Sequence, residues 1–167
     1  MAFDAYIELD GVPGESKKKG KENQIEIFSF SWGSSNPTTV SANSGISAGR
    51  ASVSSFNVMK QTDKASPVLF QSCCSGKVHG TMKVTLRKTS GGDAKTPTKD
   101  FLVYTFTDVM VESVQWSGSA GGDDVPTESV SFAFTTVKIE YFPQDTETGK
   151  LGAAVSANWD IKLAAST

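Results

Sequence analysis

The sequence predicts a mainly β fold: a single-domain β-barrel of two packed sheets, about eight strands over residues 1–167, with one flanking α-helix. Three observations predict it. Apolar and polar residues alternate with a period of two along most of the chain, as half-buried strands require. Composition favours a pleated sheet, with 15 Val, 6 Ile and 16 Thr against 6 Leu. Helix punctuation at both ends occurs convincingly over one stretch, between Ser66-Pro67 and Gly76. A chain of 167 residues is one domain long and buries a core without disulfides or metal.

Phe3, Ala5, Ile7 and Leu9 alternate with polar neighbours and form the first strand, which Asp10-Gly11-Val12-Pro13-Gly14 ends with turn residues. Lys17, Lys18, Lys19 and Lys21 then read as a solvated turn. From Gln24 to Trp32 a second strand changes parity, from Ile25 and Ile27 to Phe28, Phe30 and Trp32, which predicts a bulge near Ile27 or a strand covered on both faces. Gly33–Gly49 shows weak periodicity and few charges, and reads as a connection without regular structure that is long enough to be functional or disordered. Arg50–Lys60 is a strand. Ser66 is expected to cap a helix that has Pro67 in its first turn, an apolar side of Val68, Leu69, Phe70, Cys73 and Cys74, and a stop at Gly76. Val78–Arg87 alternates cleanly and places His79 on the polar face. Gly91-Gly92 marks a turn. Phe101–Trp116 is long and apolar on both parities, as expected for a central strand, or two joined strands, covered on both sides. Thr127–Phe142 slips parity near Thr135-Thr136, a second bulge, and after a turn over Asp145–Gly149 the last strand runs from Val155 to Leu163.

The residue inventory excludes much chemistry. With 16 Lys plus Arg against 18 Asp plus Glu, the net charge of −2 argues against nucleic-acid binding, which draws on phosphate neutralisation. No apolar run is long enough for a membrane span, so no membrane insertion is expected. The start, Met1-Ala2-Phe3-Asp4, does not have the pattern of a cleavable signal. A single histidine, His79, rules out two-histidine metal sites within one chain, and no metal or cofactor is expected. Cys73 and Cys74 are sequence neighbours, read as small apolar residues on the helix rather than a bridge. Ser16 with Lys19 matches a serine–lysine spacing only within a lysine-rich turn. Gly118–Asp124 lacks a phosphate-binding pattern, and neither Asp123-Asp124 nor Glu26 with Glu140 is placed by the sequence across a cleft. The chain is expected not to be an enzyme.

Seven segments, in order, carry a family resemblance: Phe3–Ser16 (FDAYIELDGVPGES), Ile25–Gly33 (IEIFSFSWG), Asp63–Pro67 (DKASP), Ser75-Gly76-Lys77, Val109–Val114 (VMVESV), Thr127–Gln144 (TESVSFAFTTVKIEYFPQ) and Asn158–Lys162 (NWDIK). Together they resemble the haemolysin-coregulated protein family, the tube-forming component of bacterial type VI secretion. The resemblance implies a β-barrel with one helix, assembled as a homohexameric ring whose stacks form a hollow tube. It also implies a contractile sheath around the tube, a spike protein at its tip and small effector proteins in the lumen. Localisation follows: bacterial cytoplasm when assembled, then secretion without a cleavable signal peptide.

Within that frame the Gly33–Gly49 segment is expected to reach over a neighbouring copy, with Asn36, Pro37, Val40 and Ile46 as oligomer and stacking contacts. Ser29 and Ser31 are expected to face the lumen, where hydroxyls keep the wall wetted. Two other readings remain open: a contractile-phage tail-tube subunit, and a monomeric carbohydrate- or peptide-binding β-sandwich. The second needs an exposed aromatic platform, for which Trp32, Trp116 and Trp159 are the candidates, although all three read better as core. An esterase or peptidase reading through Ser16 has the least support.

Overall fold

The computed structural model describes residues 3–88, 99–122, 125–145 and 150–167. The turn expected at Gly91-Gly92, most of Asp145–Gly149 and the pair Asp123-Asp124 lie outside the described residues. In chain order the strands are β1 (Phe3–Leu9), β2 (Ile25–Ile27), β3 (Ser29–Ser31), β4 (Ser34–Ser35), β5 (Thr38–Ser41), β6 (Gly45–Ala48), β7 (Ser52–Val53) and β8 (Phe56–Gln61). Helix α1 (Ser66–Ser75) follows, then β9 (Val78–Lys88), β10 (Asp100–Ser117), β11 (Thr127–Ala133), β12 (Thr136–Tyr141) and β13 (Val155–Asp160).

One nine-stranded sheet runs β2-β1-β9-β10-β11-β8-β3, and β12 leaves β10 to pair with β13. The mainly β expectation with one helix holds, but the closed barrel does not. The hydrogen-bonded path has two ends, β2 and β3, which are joined through the chain at Phe28 rather than by a ladder. Here the parity change read from the sequence has its cause. Ile25 and Ile27 face the core on β1, Phe30 faces it on β8, and Phe28 between them turns outward while its N–H bonds to Met59 O. The second slip is equally physical. Phe134 and Thr135 separate β11 from β12, so one bent strand pairs first with the C-terminal and then with the N-terminal half of β10.

The core lies on one side of the sheet, where Ile7, Val84, Phe106, Val130, Phe132 and Phe56 are buried with Leu69 of α1. Trp32 and Trp159 pack against it, as expected of core residues. Trp116 is more exposed and rests on Phe70 of α1, with ring centroids 5.8 Å apart. Gly14 is needed where it stands, because a Cβ there would lie 2.3 Å from the carbonyl oxygen of Gln24.

The helix begins at Ser66 but is not capped by it. Ala65 takes the cap position without a side-chain bond, Pro67 sits in the first turn, and Asp63 Oδ1 accepts the Ala65 N–H at 3.0 Å. The Ser66 hydroxyl is diverted into a buried polar cluster. Gly76 stops the helix as expected, at φ 65° with its N–H on Ser72 O. Leu69 is buried, yet Phe70 and Cys74 are exposed, so the apolar side is narrower than the sequence suggests.

Gly33–Gly49 is not structureless. β5 and β6 pair as a hairpin, β4 and β7 pair below it, and together they form an arm that is exposed along nearly its whole length. The lysine turn is also corrected at one position. Lys21 is buried, with Nζ 2.9 Å from Asp100, while Lys17, Lys18 and Lys19 are exposed.

Candidate functional surfaces

No cluster of three or more His, Cys, Asp or Glu suited to a metal occurs among the described residues. Glu26 and Glu140 lie in one cross-strand row, Glu26-Tyr6-Thr85-Val103-Glu140. Four strand spacings separate them by roughly 19 Å, too far for a pair of carboxylates to share an acid–base reaction. His79 is buried and doubly bonded, with Nδ1 2.8 Å from Asp10 O and Nε2 3.1 Å from Ser72 Oγ, so it ties α1 to the β1 turn. The Cys73 thiol lies 3.4 Å from Glu112 O and Cys74 is exposed. Ser16 is buried, and its Oγ accepts from the Lys18 N–H at 3.3 Å.

Two buried ionic groups fix the frame. Lys60 and Glu128 stand directly opposite each other on β8 and β11, 1% and 0% exposed, with Nζ 2.6 Å from Oε1. Lys60 Nζ also approaches Asp63 Oδ1 and Gln61 O at 2.8 Å and Ser66 Oγ at 3.1 Å. The group therefore joins two strands to the start of α1. It is closed to solvent and holds structure rather than substrate. Sequence reasoning passed over it, although Lys60 and Glu128 share the parity of Val58 and Val130. The second group is Asp100 between Lys21 and Arg87, at 2.9 and 3.0 Å. Burial alone would raise the Asp100 carboxyl, but the hydrogen bonds and charges of Lys21 and Arg87 outweigh it and hold it below its ordinary range. Burial and the carboxylates of Asp4 and Glu26 push the Tyr6 phenol up to about 12.

Ser29 and Ser31 are both exposed on β3, and the register shows what surrounds them. Cross-strand rows on the side away from the core read Ser31-Asn57-Ser131-Ser113, then Ser29-Met59-Ser129-Gln115, then Gln61-Thr127-Ser117. These eleven side chains are seven hydroxyls, three amides and one thioether, without a charge. On the same side of the sheet β1, β9 and β12 carry Asp4, Glu8, Lys83, Arg87, Lys138 and Glu140, with Tyr6 and Thr85 buried among them. The neutral rows are bordered by Glu15, Glu26 and Asp63 beside Gln61 and by Glu112 on Ser55. Sequence reasoning found two residues of the neutral wall and missed the rest, because only the pairing of distant strands assembles it.

The expected contact residues all lie on the arm. Asn36 and Pro37 follow β4, and Val40 and Ile46 are directly opposed near the tip, 77% and 73% exposed. Two large aliphatic side chains thus stand side by side, open to water, on an ordered ribbon.

Comparison with known proteins agrees with this architecture. Residues 6–141 match the family model described as type VI secretion system effector, Hcp. Protein hcp1 of Pseudomonas aeruginosa is 36% identical over 162 residues, 97% of each chain. A type six secretion system protein of known structure superposes with a TM-score of 0.91 at 34% identity, covering 99% of this chain and 100% of that one. Hcp1 from Salmonella typhimurium superposes with a TM-score of 0.76 at 32% identity, covering 100% of both. A match of this extent to the family model, together with full-length relatives above 30% identity, shows the family: the chain belongs to the Hcp family of type VI secretion.

Proposed function

We propose that the chain is the tube subunit of a type VI secretion system. It closes into a homohexameric ring, the rings stack into a hollow tube inside the sheath and behind the spike, and small effector proteins travel in the lumen. The observation that carries this reading is the uncharged wall of hydroxyls and amides around Ser29 and Ser31. A conduit for proteins of varied charge must stay wetted and must not hold cargo by fixed charges. The neutral rows meet both conditions, whereas the charged half of the sheet meets neither. The arm supplies the head-to-tail element that a closing ring or a stack requires.

Negative-stain imaging with native mass measurement tests the reading. Purified protein is expected to give annular particles of six subunits, and removal of residues 36–46 is expected to abolish stacking. A lone subunit at every concentration, or normal stacks from the shortened arm, contradicts it. A spin label at Ser31, through Ser31→Cys in a background with Cys73 and Cys74 replaced by Ser, is expected to face the hollow centre. Label-to-label distances that place it on the outer wall overturn the assignment of the lumen.

A further inference from the structure

Strands β12 and β13 carry the core-side face of the sheet beyond the core. One row runs Ile7-Val84-Tyr104-Ile139-Ala157, and the next Ala5-Leu86-Leu102-Tyr141-Val155. Ile7, Val84, Ala5 and Leu86 are buried, but cover fades along each row until Tyr141 is 46% and Val155 67% exposed. Core-side apolar residues are thus left open to water. The outer backbone edge of β13 from Val155 to Ala157 pairs with nothing among the described residues, and β13 holds neither Lys nor Pro to guard it.

The arm has the complementary properties. Thr38, Val40, Ile46 and Ala48 line one face of the β5–β6 ribbon, while Thr39, Ser41 and Ser47 line the other. Residues 33–49 contain no charge, so nothing charged is stripped of water when this ribbon is covered. Both outer edges of the ribbon are free among the described residues, and the strands hydrogen-bond to each other. From Gly33 to the turn the arm reaches up to about 30 Å at strand rise.

We propose that the wing formed by Tyr141, Val155 and Ala157 receives the arm of a second copy of this chain, with Val40 and Ile46 on the wing's apolar face and a ribbon strand along the β13 edge. This rests on the reading of the chain as a self-assembling subunit and adds which surface accepts the arm. Strand addition supplies main-chain hydrogen bonds, and the opposed apolar side chains set the position.

Disulfide trapping decides it. In a Cys73→Ser, Cys74→Ser background, Val40→Cys and Val155→Cys proteins are assembled together and oxidised. The mixture is expected to give at least tenfold more covalent dimer than either protein alone, and Thr39→Cys, on the opposite face of the ribbon, is expected not to trap. All three positions are partly or fully exposed, so the variants fold. Rings or stacks that form without the Val40–Val155 bridge overturn this docking and leave the assembly reading standing. Trapping from Thr39→Cys as strong as from Val40→Cys also overturns it. Native mass showing a lone subunit in the parent background removes the assembly reading itself.

Discussion

Lys60→Met is expected to lower folding stability by about 3–5 kcal/mol, read as a fall in the denaturant midpoint at fixed protein concentration. The cause is not the loss of a favourable pair in itself. Glu128 is 0% exposed and would be left buried without the ammonium that stands 2.6 Å away. The double variant Lys60→Met, Glu128→Leu is expected to recover most of the loss, because replacing both partners of a buried pair by apolar groups is often neutral or stabilising. A single variant as stable as the parent shows that water or another cation reaches Glu128.

The functional weight of that pair lies in register. Lys60 opposite Glu128 sets β8 against β11 so that Asn57 faces Ser131 and Met59 faces Ser129. A slip of one residue would carry every side chain of β8 to the other face, sending Asn57 and Met59 inward and Phe56 and Val58 into the wall. A buried charge pair discriminates against such a slip, because either charge meeting an apolar partner costs several kcal/mol. The neutral wall therefore depends on two charges beneath it.

What the sequence disclosed follows burial. β1 and β9 were legible as alternation because one side of each packs on the core, and the bends at Phe28 and Thr135 were legible because that alternation changes phase there. The arm was not legible as strands. Both of its faces meet water, so burial leaves no period of two, and order comes from pairing such as Val40 opposite Ile46. Ser66 stood at a helix start and carried the expectation of a cap, but the tertiary demand of Lys60 and Glu128 took its hydroxyl instead. Ser29 and Ser31 were legible as outward residues. Their neighbours Ser129, Ser131 and Gln115 lie about a hundred residues away, and no local pattern reports which strands pair. The same holds for the wing, because only the pairing of β10, β12 and β13 shows that Tyr141 and Val155 occupy core-side positions of a sheet that outruns its cover.

Phe106→Ala is the other large effect, expected at about 3–5 kcal/mol. Its ring is fully buried, with centroids 4.5 Å from Phe134, 5.0 Å from Phe56 and 5.6 Å from Trp32. Truncation leaves a cavity that these rings cannot close without losing one another, whereas Phe106→Leu fills most of it and is expected to cost much less. The consequence extends to the arm through Trp32. The next residue, Gly33, is clamped to Ser54, with its N–H on Ser54 Oγ and its carbonyl accepting the Ser54 N–H, each at 2.9 Å. A loosened Trp32 therefore loosens the root from which the arm projects. Phe106→Ala is expected to shift tryptophan emission to the red and to weaken assembly at concentrations where the subunit is still folded, while Phe106→Leu retains both. If the two variants assemble equally well despite different stabilities, the aromatic cluster supports the core alone and the arm takes its direction from the Gly33–Ser54 clamp.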